Sequence, residues 1–174
     1  MKNGETLLVR GGTTSVGLAA IAIARHQQLH VVATTRRAER KELLMSYGAE
    51  SVVIETGTIR NEIRAIYAEG VDAVLELVGS TLPDSATCVG HEGRITQLGV
   101  VGGNTPAIAR SINYQFYGGE QEDFHALPLQ DLLDLVADGR LPVKPGKVFQ
   151  FEQIQEAHAT MEGNKAGGKI VVLT

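Results

Sequence analysis

Hydrophobic positions along the chain fall into short runs of β-branched and aliphatic residues that alternate with longer stretches of helical periodicity. The short runs predict strands at residues 6–10, 30–34, 51–54, 72–77, 94–98 and 169–173. The longer stretches predict helices at residues 15–26, 38–47, 59–68, 82–87, 129–138 and 152–162. Apolar strands separated by helices are typical of a parallel sheet that is covered on both faces. The pattern therefore predicts an α/β fold with a doubly wound parallel sheet of six strands.

Residues 99–127 interrupt this alternation, because glycine pairs and a proline break the periodicity there. We interpret the segment as a long functional loop with one further exposed strand, an edge element between Asn113 and Tyr117. Neither an internal repeat nor a domain boundary is visible in the sequence. The pattern predicts a single domain over residues 1–174.

The amino-acid composition limits which binding partners and which cellular compartment we expect for this protein. The 174 residues contain 16 Lys and Arg against 20 Asp and Glu, and the net charge of -4 gives no reason to expect nucleic acid or an anionic membrane as partner. The single cysteine, Cys88, can form neither an internal disulfide nor a multi-thiolate zinc site, which favours a reducing compartment. We expect no signal peptide, because the N-terminus leads straight into a strand-like run, and no apolar run approaches the roughly 18 to 20 residues of a membrane span. We expect a cytoplasmic protein.

A glycine-rich turn between the first predicted strand and the first predicted helix is the main candidate for chemistry. Glycine allows a tight turn, and the free N–H groups at a helix start point towards an anion. This geometry suits the pyrophosphate of a dinucleotide. The predicted contacts are Gly12, Thr13, Thr14, Ser15, Val16 and Gly17. Thr14 replaces the middle glycine of the G-x-G-x-x-G pattern, so a strand-to-helix turn without a ligand is the alternative interpretation.

The end of the second predicted strand favours one type of dinucleotide. A site selective for NAD usually has an Asp or Glu here, about twenty residues beyond the turn, to bind the ribose 2′-hydroxyl. This chain instead has Thr35, Arg36 and Arg37, which suit a 2′-phosphate, and Arg40 and Lys41 follow. The sequence therefore favours NADP(H) as cofactor. A solvated basic helix start is the alternative.

Several segments in a fixed order resemble a known family. They are residues 7–17, the turn Tyr47-Gly48-Ala49-Glu50, residues 71–79, residues 93–99, and the closing stretch from Glu156-Ala157-His158 to residues 168–172. Together they resemble the cofactor-binding half of a medium-chain dehydrogenase/reductase, in the quinone oxidoreductase and zinc-alcohol-dehydrogenase-like branch. The resemblance spans the whole chain and implies a Rossmann domain with strand order 3-2-1-4-5-6.

The resemblance also implies further contacts. The loops after the fourth and fifth strands would contact the cofactor through Val78, Gly79, Leu98, Gly99 and Val100. The edge element between Asn113 and Tyr117 would pair with its twin across a two-fold axis, which gives a homodimer.

The family carries an N-terminal, largely β catalytic domain of GroES-like type. This chain begins at the first dinucleotide-binding strand, so we expect that domain to be absent, together with most substrate-binding groups and any zinc ligands. We assign no catalytic residue and no metal ligand from the sequence. Cys88, His91 and Glu92 lie close together but lack the spacing of a complete metal site.

The resemblance implies hydride transfer from NADPH to a quinone, an enone or a related carbonyl acceptor. Two other interpretations stay open. One is a non-catalytic module that binds or senses a dinucleotide. The other is an S-adenosylmethionine-dependent methyltransferase, which also uses a glycine turn after its first strand. A methyltransferase normally has an acid for the ribose hydroxyls where this chain has Arg36 and Arg37.

Overall fold

The sheet of this protein is parallel and doubly wound. The computed structural model describes residues 1–99, 112–117, 127–163 and 165–174. The strands are β1 (Thr6–Arg10), β2 (His30–Thr35), β3 (Ser51–Ile54), β4 (Val71–Glu76), β5 (Val89–Gln97), β6 (Asn113–Phe116), β7 (Lys147–Gln150) and β8 (Ile170–Leu173). The helices are α1 (Ser15–His26), α2 (Lys41–Ser46), α3 (Arg60–Ile66), α4 (Leu82–Cys88), α5 (Leu129–Ala137) and α6 (Ile154–Glu162). Six strands form one sheet in the order β3-β2-β1-β4-β5-β6, which confirms the predicted fold class.

Both faces of this sheet are buried. Successive side chains of a strand point to opposite faces, so Leu7 and Val9 pack into one core cluster and Leu8 into the other. The first cluster takes its helical residues from α1, α2 and α5, and the second takes them from α3 and α4. The prediction of helices on both faces is therefore confirmed. Within the described ranges, no helix is both long and apolar enough to cross a membrane.

The identity of the sixth strand differs from the prediction. The sequence pattern places residues 169–173 among the six strands and predicts the segment near Asn113 as an additional edge element. In the structure β6 is the sixth strand and pairs in parallel with β5, whereas β8 pairs with β7 in a separate two-stranded sheet. An apolar run such as β8 indicates a strand but carries no information about its partner. The four-residue strand β7 was too short and too polar to be predicted.

Two other predicted elements have bounds that differ from the prediction by more than two residues. The predicted helix at 38–47 consists of a short 3-10 helix, Ala38–Arg40, followed by α2. Strand β5 starts at Val89, five residues before its predicted start, and its register against β4 shifts after Val71. Glu92 lies in this irregular part with a φ of 59°. Residues 90–94 contain glycine and charged residues, so the sequence shows no apolar strand pattern in that part of β5.

A buried ion-pair cluster joins three elements beneath the carboxyl edge of the sheet. Arg10, the last residue of β1, is fully buried, and its Nη1 lies 2.7 Å from Asp84 Oδ2 on α4. Its Nε lies 2.9 Å from Glu55 Oε1, just beyond β3. Asp84 also accepts a hydrogen bond from the backbone N–H of Ile59, immediately before α3. One guanidinium group thus fixes the loop after β3 and helix α4 relative to β1.

We expect Arg10→Met to lower the free energy of unfolding by about 3 kcal/mol, because it leaves two largely buried carboxylates without their cation. Chemical denaturation at neutral pH measures this loss. Arg25→Met is the matched control, since Arg25 pairs with Glu50 at the surface with 56% of its side chain exposed. The control should lose less than about 1 kcal/mol. Equal losses in the two variants would contradict a stabilising role for the buried cluster.

Candidate functional site

The glycine-rich turn leads directly into α1, and Thr14 is the residue that caps the helix. Its side-chain oxygen accepts a hydrogen bond from Gly17 N at 3.0 Å and donates one to Gly11 O at 3.0 Å. An N-cap hydroxyl of this kind satisfies one of the N–H groups that a helix start leaves without a partner. Thr14 therefore shapes the turn from within, at the position where the consensus pattern has its middle glycine.

Three N–H groups of the turn remain available for a ligand. Thr14 N donates to Gly11 O at 3.1 Å, and Gly17 N is occupied by the cap. The N–H groups of Thr13, Ser15 and Val16 have no acceptor among the described residues. Because the first turn of α1 also contains no acidic residue, the positive end of the helix is uncompensated. The turn thus presents three donors at the positive end of a helix, an arrangement that suits an anion.

Gly17 is required for the close approach of α1 to the turn. A Cβ at this position would lie 2.6 Å from Gly11 O and 2.7 Å from Gly12 O. Real Cβ atoms do not approach backbone oxygen that closely, so any side chain here would push the helix start away from the strand. This explains why the last glycine of the pattern is present although the middle one is not.

The basic residues predicted at the end of β2 lie beside this turn. Thr13, Thr14 and Ser15 line a cavity of about 220 Å³ together with Arg36, Arg37 and Arg40. Within the described part of the chain, none of these three arginines forms an ion pair. The tertiary structure thus brings the two segments singled out in the sequence into one cavity with unpaired positive charge.

Thr35 is oriented differently from the arginines. It is buried, and its hydroxyl oxygen accepts a hydrogen bond from Arg37 N at 3.1 Å. The neighbouring Thr34 is fully buried, where its hydroxyl donates to Glu55 Oε1 at 2.5 Å and accepts from Gly11 N at 3.2 Å. The two threonines therefore hold the glycine-rich turn and the basic segment in place.

The C-terminal part of the chain supplies the opposite wall of the cavity, which the sequence analysis did not foresee. Met161 at the end of α6 and the segment 166–168 line it. A second cavity of about 400 Å³ adjoins it between Ser15, α6 and β8, with a mostly apolar lining that includes Ile154, Ile170 and Val172. The packing of α6 and β8 near the start of α1 was not predictable from local periodicity.

The loops after β4 and β5 lie at the same edge of the sheet as the turn. A Cβ built on Gly11 would lie 3.1 Å from Val78 Cγ2, which shows how closely this loop approaches the turn. Gly99 packs so tightly against the β4 loop that a Cβ there would collide with the carbonyl oxygen of Leu77. Val78, Gly79, Leu98 and Gly99 are therefore grouped beside the turn. Val100, the fifth predicted contact here, lies outside the described residues.

Two buried polar residues that the sequence analysis missed hold these loops. Glu76 at the end of β4 accepts hydrogen bonds from Val78 N and Gly79 N, and Gln97 at the end of β5 donates to Gly99 O at 2.6 Å. Both side chains are at most 5% exposed. A polar residue that ends an otherwise apolar buried strand was the signal available in the sequence, and Arg10 shows the same pattern.

The described residues contain no group of three or more His, Cys, Asp and Glu side chains that could hold a metal ion. Cys88 is a buried free thiol, as the sequence suggested. Burial, and then the negative charge of Asp84, raise the pKa of this thiol to about 11. The thiolate that would bind a metal or attack a substrate is therefore disfavoured at neutral pH.

The fold and the site define a class: a doubly wound α/β protein with a glycine-rich turn and an adjoining basic cavity at the carboxyl edge of its parallel sheet. The chain belongs to the zinc-binding dehydrogenase family, whose sequence model matches residues 47–172. This match confirms the resemblance to medium-chain dehydrogenases of the quinone oxidoreductase branch. The described residues do not fit the zinc of the family's name, so we derive no zinc chemistry for this chain.

Individual relatives agree with this assignment. Human quinone oxidoreductase is 28% identical over 186 residues, which cover 99% of this chain and 56% of that protein. The CurK enoyl reductase is 28% identical with a TM-score of 0.81, over 99% of this chain and 55% of that one. The mycobacterial protein Rv1454c, solved in complex with NADPH, has the same fold, with 24% identity, a TM-score of 0.82 and coverage of 100% and 58%. The chain spans about half the length of the curated quinone oxidoreductases that it matches.

Proposed function

We propose that residues 1–174 form the NADP(H)-binding domain of a reductase that transfers hydride from NADPH to a quinone, an enone or a related carbonyl acceptor. The observation that carries the proposal is the cavity shared by the glycine-rich turn and three unpaired arginines. The names of the relatives support it, since they include quinone oxidoreductases, an enoyl reductase and a protein solved with NADPH. The buried free thiol of Cys88 suits a reducing setting, and we propose the cytoplasm.

The pyrophosphate of the cofactor would bind to the turn. The donors that fit it are the N–H groups of Thr13, Ser15 and Val16, because those of Thr14 and Gly17 are already used within the turn. The uncompensated positive end of α1 adds a favourable interaction with the anion. Gly12 and Gly17 act by allowing the close backbone approach, and Thr14 acts by capping the helix.

The ribose 2′-phosphate would bind to Arg36 and Arg37, with Arg40 from the same cavity. Arginine matches a phosphate with several donors in a fixed planar geometry. Thr35 would contribute mainly through its hydrogen bond to Arg37 N, which fixes the start of the basic segment. An acid that would repel a 2′-phosphate is absent from positions 34–37.

The nicotinamide half would lie along the loops after β4 and β5, at Val78, Gly79, Leu98 and Gly99, with Val100 next in the chain. In a doubly wound sheet, the dinucleotide crosses the edge from one half of the sheet to the other. When bound, NADPH supplies the hydride, and the residues of this chain bind and orient it.

We expect the protein to bind NADPH about tenfold or more tightly than NADH, and Arg36→Ala to remove most of this preference. The variant loses hydrogen bonds to a charged phosphate, and exposure to solvent reduces the free energy of those bonds. The expected result is about a tenfold loss of NADPH affinity. Isothermal titration calorimetry with both cofactors measures the two dissociation constants. Affinity for NADH should stay unchanged in the variant.

Arg60→Ala is the matched control for this titration. Arg60 is also an exposed arginine, at the first position of α3, but it does not line the cavity. It should leave both affinities unchanged. The proposal fails if NADH binds the wild-type protein as tightly as NADPH, or if Arg36→Ala leaves their ratio as it was.

We also expect the reductase whose cofactor domain is formed by residues 1–174 to oxidise NADPH when a quinone such as menadione is supplied. Arg36→Ala should raise the KM for NADPH without changing kcat, because the 2′-phosphate is remote from the reacting atoms. Spectrophotometry at the NADPH absorbance band follows the reaction. Binding of NADPH without turnover would instead favour the non-catalytic dinucleotide-binding module, an alternative that the partial coverage of the relatives keeps open.

The assembly that we propose is a homodimer formed through β6. This strand ends the sheet within the described part of the chain, and Phe116 is 50% exposed on it. An unpaired strand edge with an exposed aromatic residue is a template for pairing with a second copy.

We expect light scattering to give the mass of a dimer for the wild-type protein and that of a monomer for Phe116→Lys, since two like charges would meet near the two-fold axis. Phe151→Lys changes an aromatic residue that is 60% exposed outside this strand, and it should remain dimeric. A wild-type monomer at every concentration, or equal disruption by both variants, would contradict the edge-strand dimer.

A further inference from the structure

Glu76 is a buried acid with no cationic partner in the part of the chain that the structure describes. It is fully buried at the end of β4, and no Lys, Arg or His among the described residues forms an ion pair with it. Arg10 is its register partner on β1 but pairs with Glu55 and Asp84 instead. A buried carboxylate is costly unless hydrogen bonds replace its water. The groups that provide those bonds therefore indicate what the residue does.

The hydrogen bonds to Glu76 come from the loop that follows it and from α4. Oε1 accepts from Val78 N at 2.8 Å and from Gly79 N at 2.9 Å. The hydroxyl of Thr81 lies 2.9 Å from both carboxylate oxygens, and that of Ser85 donates to Oε2 at 2.6 Å. One carboxylate thus fixes two consecutive N–H groups of the loop and anchors them to α4.

The backbone of Glu76 fixes the neighbouring loop as well. Its carbonyl oxygen accepts from Leu98 N at 2.9 Å and from Gly99 N at 3.2 Å. These bonds hold the loop after β5 against the loop after β4. A single residue thereby sets the relative positions of both loops on the side of β1 opposite to β2.

We propose that Glu76 is a positioning residue for the nicotinamide half of the cofactor. This inference rests on the proposed function. The phosphates would lie at the ends of β1 and β2, whereas β4 and β5 lie on the other side of β1 in the strand order. Glu76 is too deeply buried to contact the cofactor and acts only through the loop backbone.

Two conservative variants distinguish the effect of side-chain length at position 76 from the effect of side-chain charge. Glu76→Gln keeps the side-chain length, so its amide oxygen can still accept from Val78 N and Gly79 N, while the hydroxyls of Thr81 and Ser85 can rotate to accept from its NH2 group. Glu76→Asp keeps the charge but is one methylene shorter and cannot reach both N–H groups in the same way. A positioning role requires the aspartate to be the more harmful change, whereas a purely electrostatic role requires the glutamine to be.

The experiment measures dissociation constants for NADPH and for 2′,5′-ADP, which carries the 2′-phosphate but lacks the nicotinamide half. We expect Glu76→Asp to weaken NADPH about tenfold, in line with the loss of hydrogen bonds to a charged group, and to change 2′,5′-ADP less than about twofold. Glu76→Gln should change both less than about threefold. Ser85→Ala, which removes one donor to Oε2 and leaves the loop bonds intact, should behave like Glu76→Gln.

Amide hydrogen exchange gives a readout that does not depend on a ligand. The N–H groups of Val78 and Gly79 should exchange slowly in the wild-type protein and in Glu76→Gln, and faster in Glu76→Asp.

The positioning role is overturned if Glu76→Gln weakens the binding of NADPH as much as Glu76→Asp does, or if Glu76→Asp weakens the binding of both ligands equally. It is also overturned, with the cofactor site intact, if the wild-type protein binds both ligands equally tightly. If the wild-type protein binds neither ligand, the proposed function itself fails, and the positioning role fails with it.

Discussion

Both faces of the parallel sheet are buried against apolar side chains. Polar side chains of the sheet are therefore concentrated at its carboxyl edge, where loops and helices can supply partners. Strands β1, β4 and β5 each end there in a buried polar residue, namely Arg10, Glu76 and Gln97. Each of these side chains forms an ion pair or a hydrogen bond with a loop or helix that lies beyond its own strand. A buried polar group without a partner costs desolvation free energy. These three side chains therefore favour the loop arrangement that supplies their partners.

The arrangement of the loops explains why the same edge suits a dinucleotide. The N–H groups of Thr13, Ser15 and Val16 have no acceptor among the described residues, whereas those of Thr14 and Gly17 are bonded within the turn. Among the described residues Arg36, Arg37 and Arg40 form no ion pair, and Glu55, which follows β3, is already bound to Arg10 and Thr34. Positive charge therefore remains unpaired in one cavity, which is the property that a phosphate-bearing cofactor requires.

A large part of the fold was predictable from local patterns. All six strands of the main sheet were predicted as strands, together with the positions of the glycine-rich turn, of the helices and of the basic segment after β2. The edge strand β6 was predicted as an additional element but not as the sixth strand, and β7 was missed. Periodicity identifies an element, whereas the choice of β6 over β8 as partner of β5 depends on the packing of the whole chain.

The sequence by itself determined the alternation of strands and helices, the glycine-rich turn and the presence of basic residues at the end of β2, because each depends on neighbours along the chain. Only the tertiary structure decided which donors stay free and which are used. Arg10 meets Asp84 across 74 positions of sequence, and Met161 comes to line the cavity opposite Arg36. Such contacts arise when the layers pack, so no local pattern encodes them.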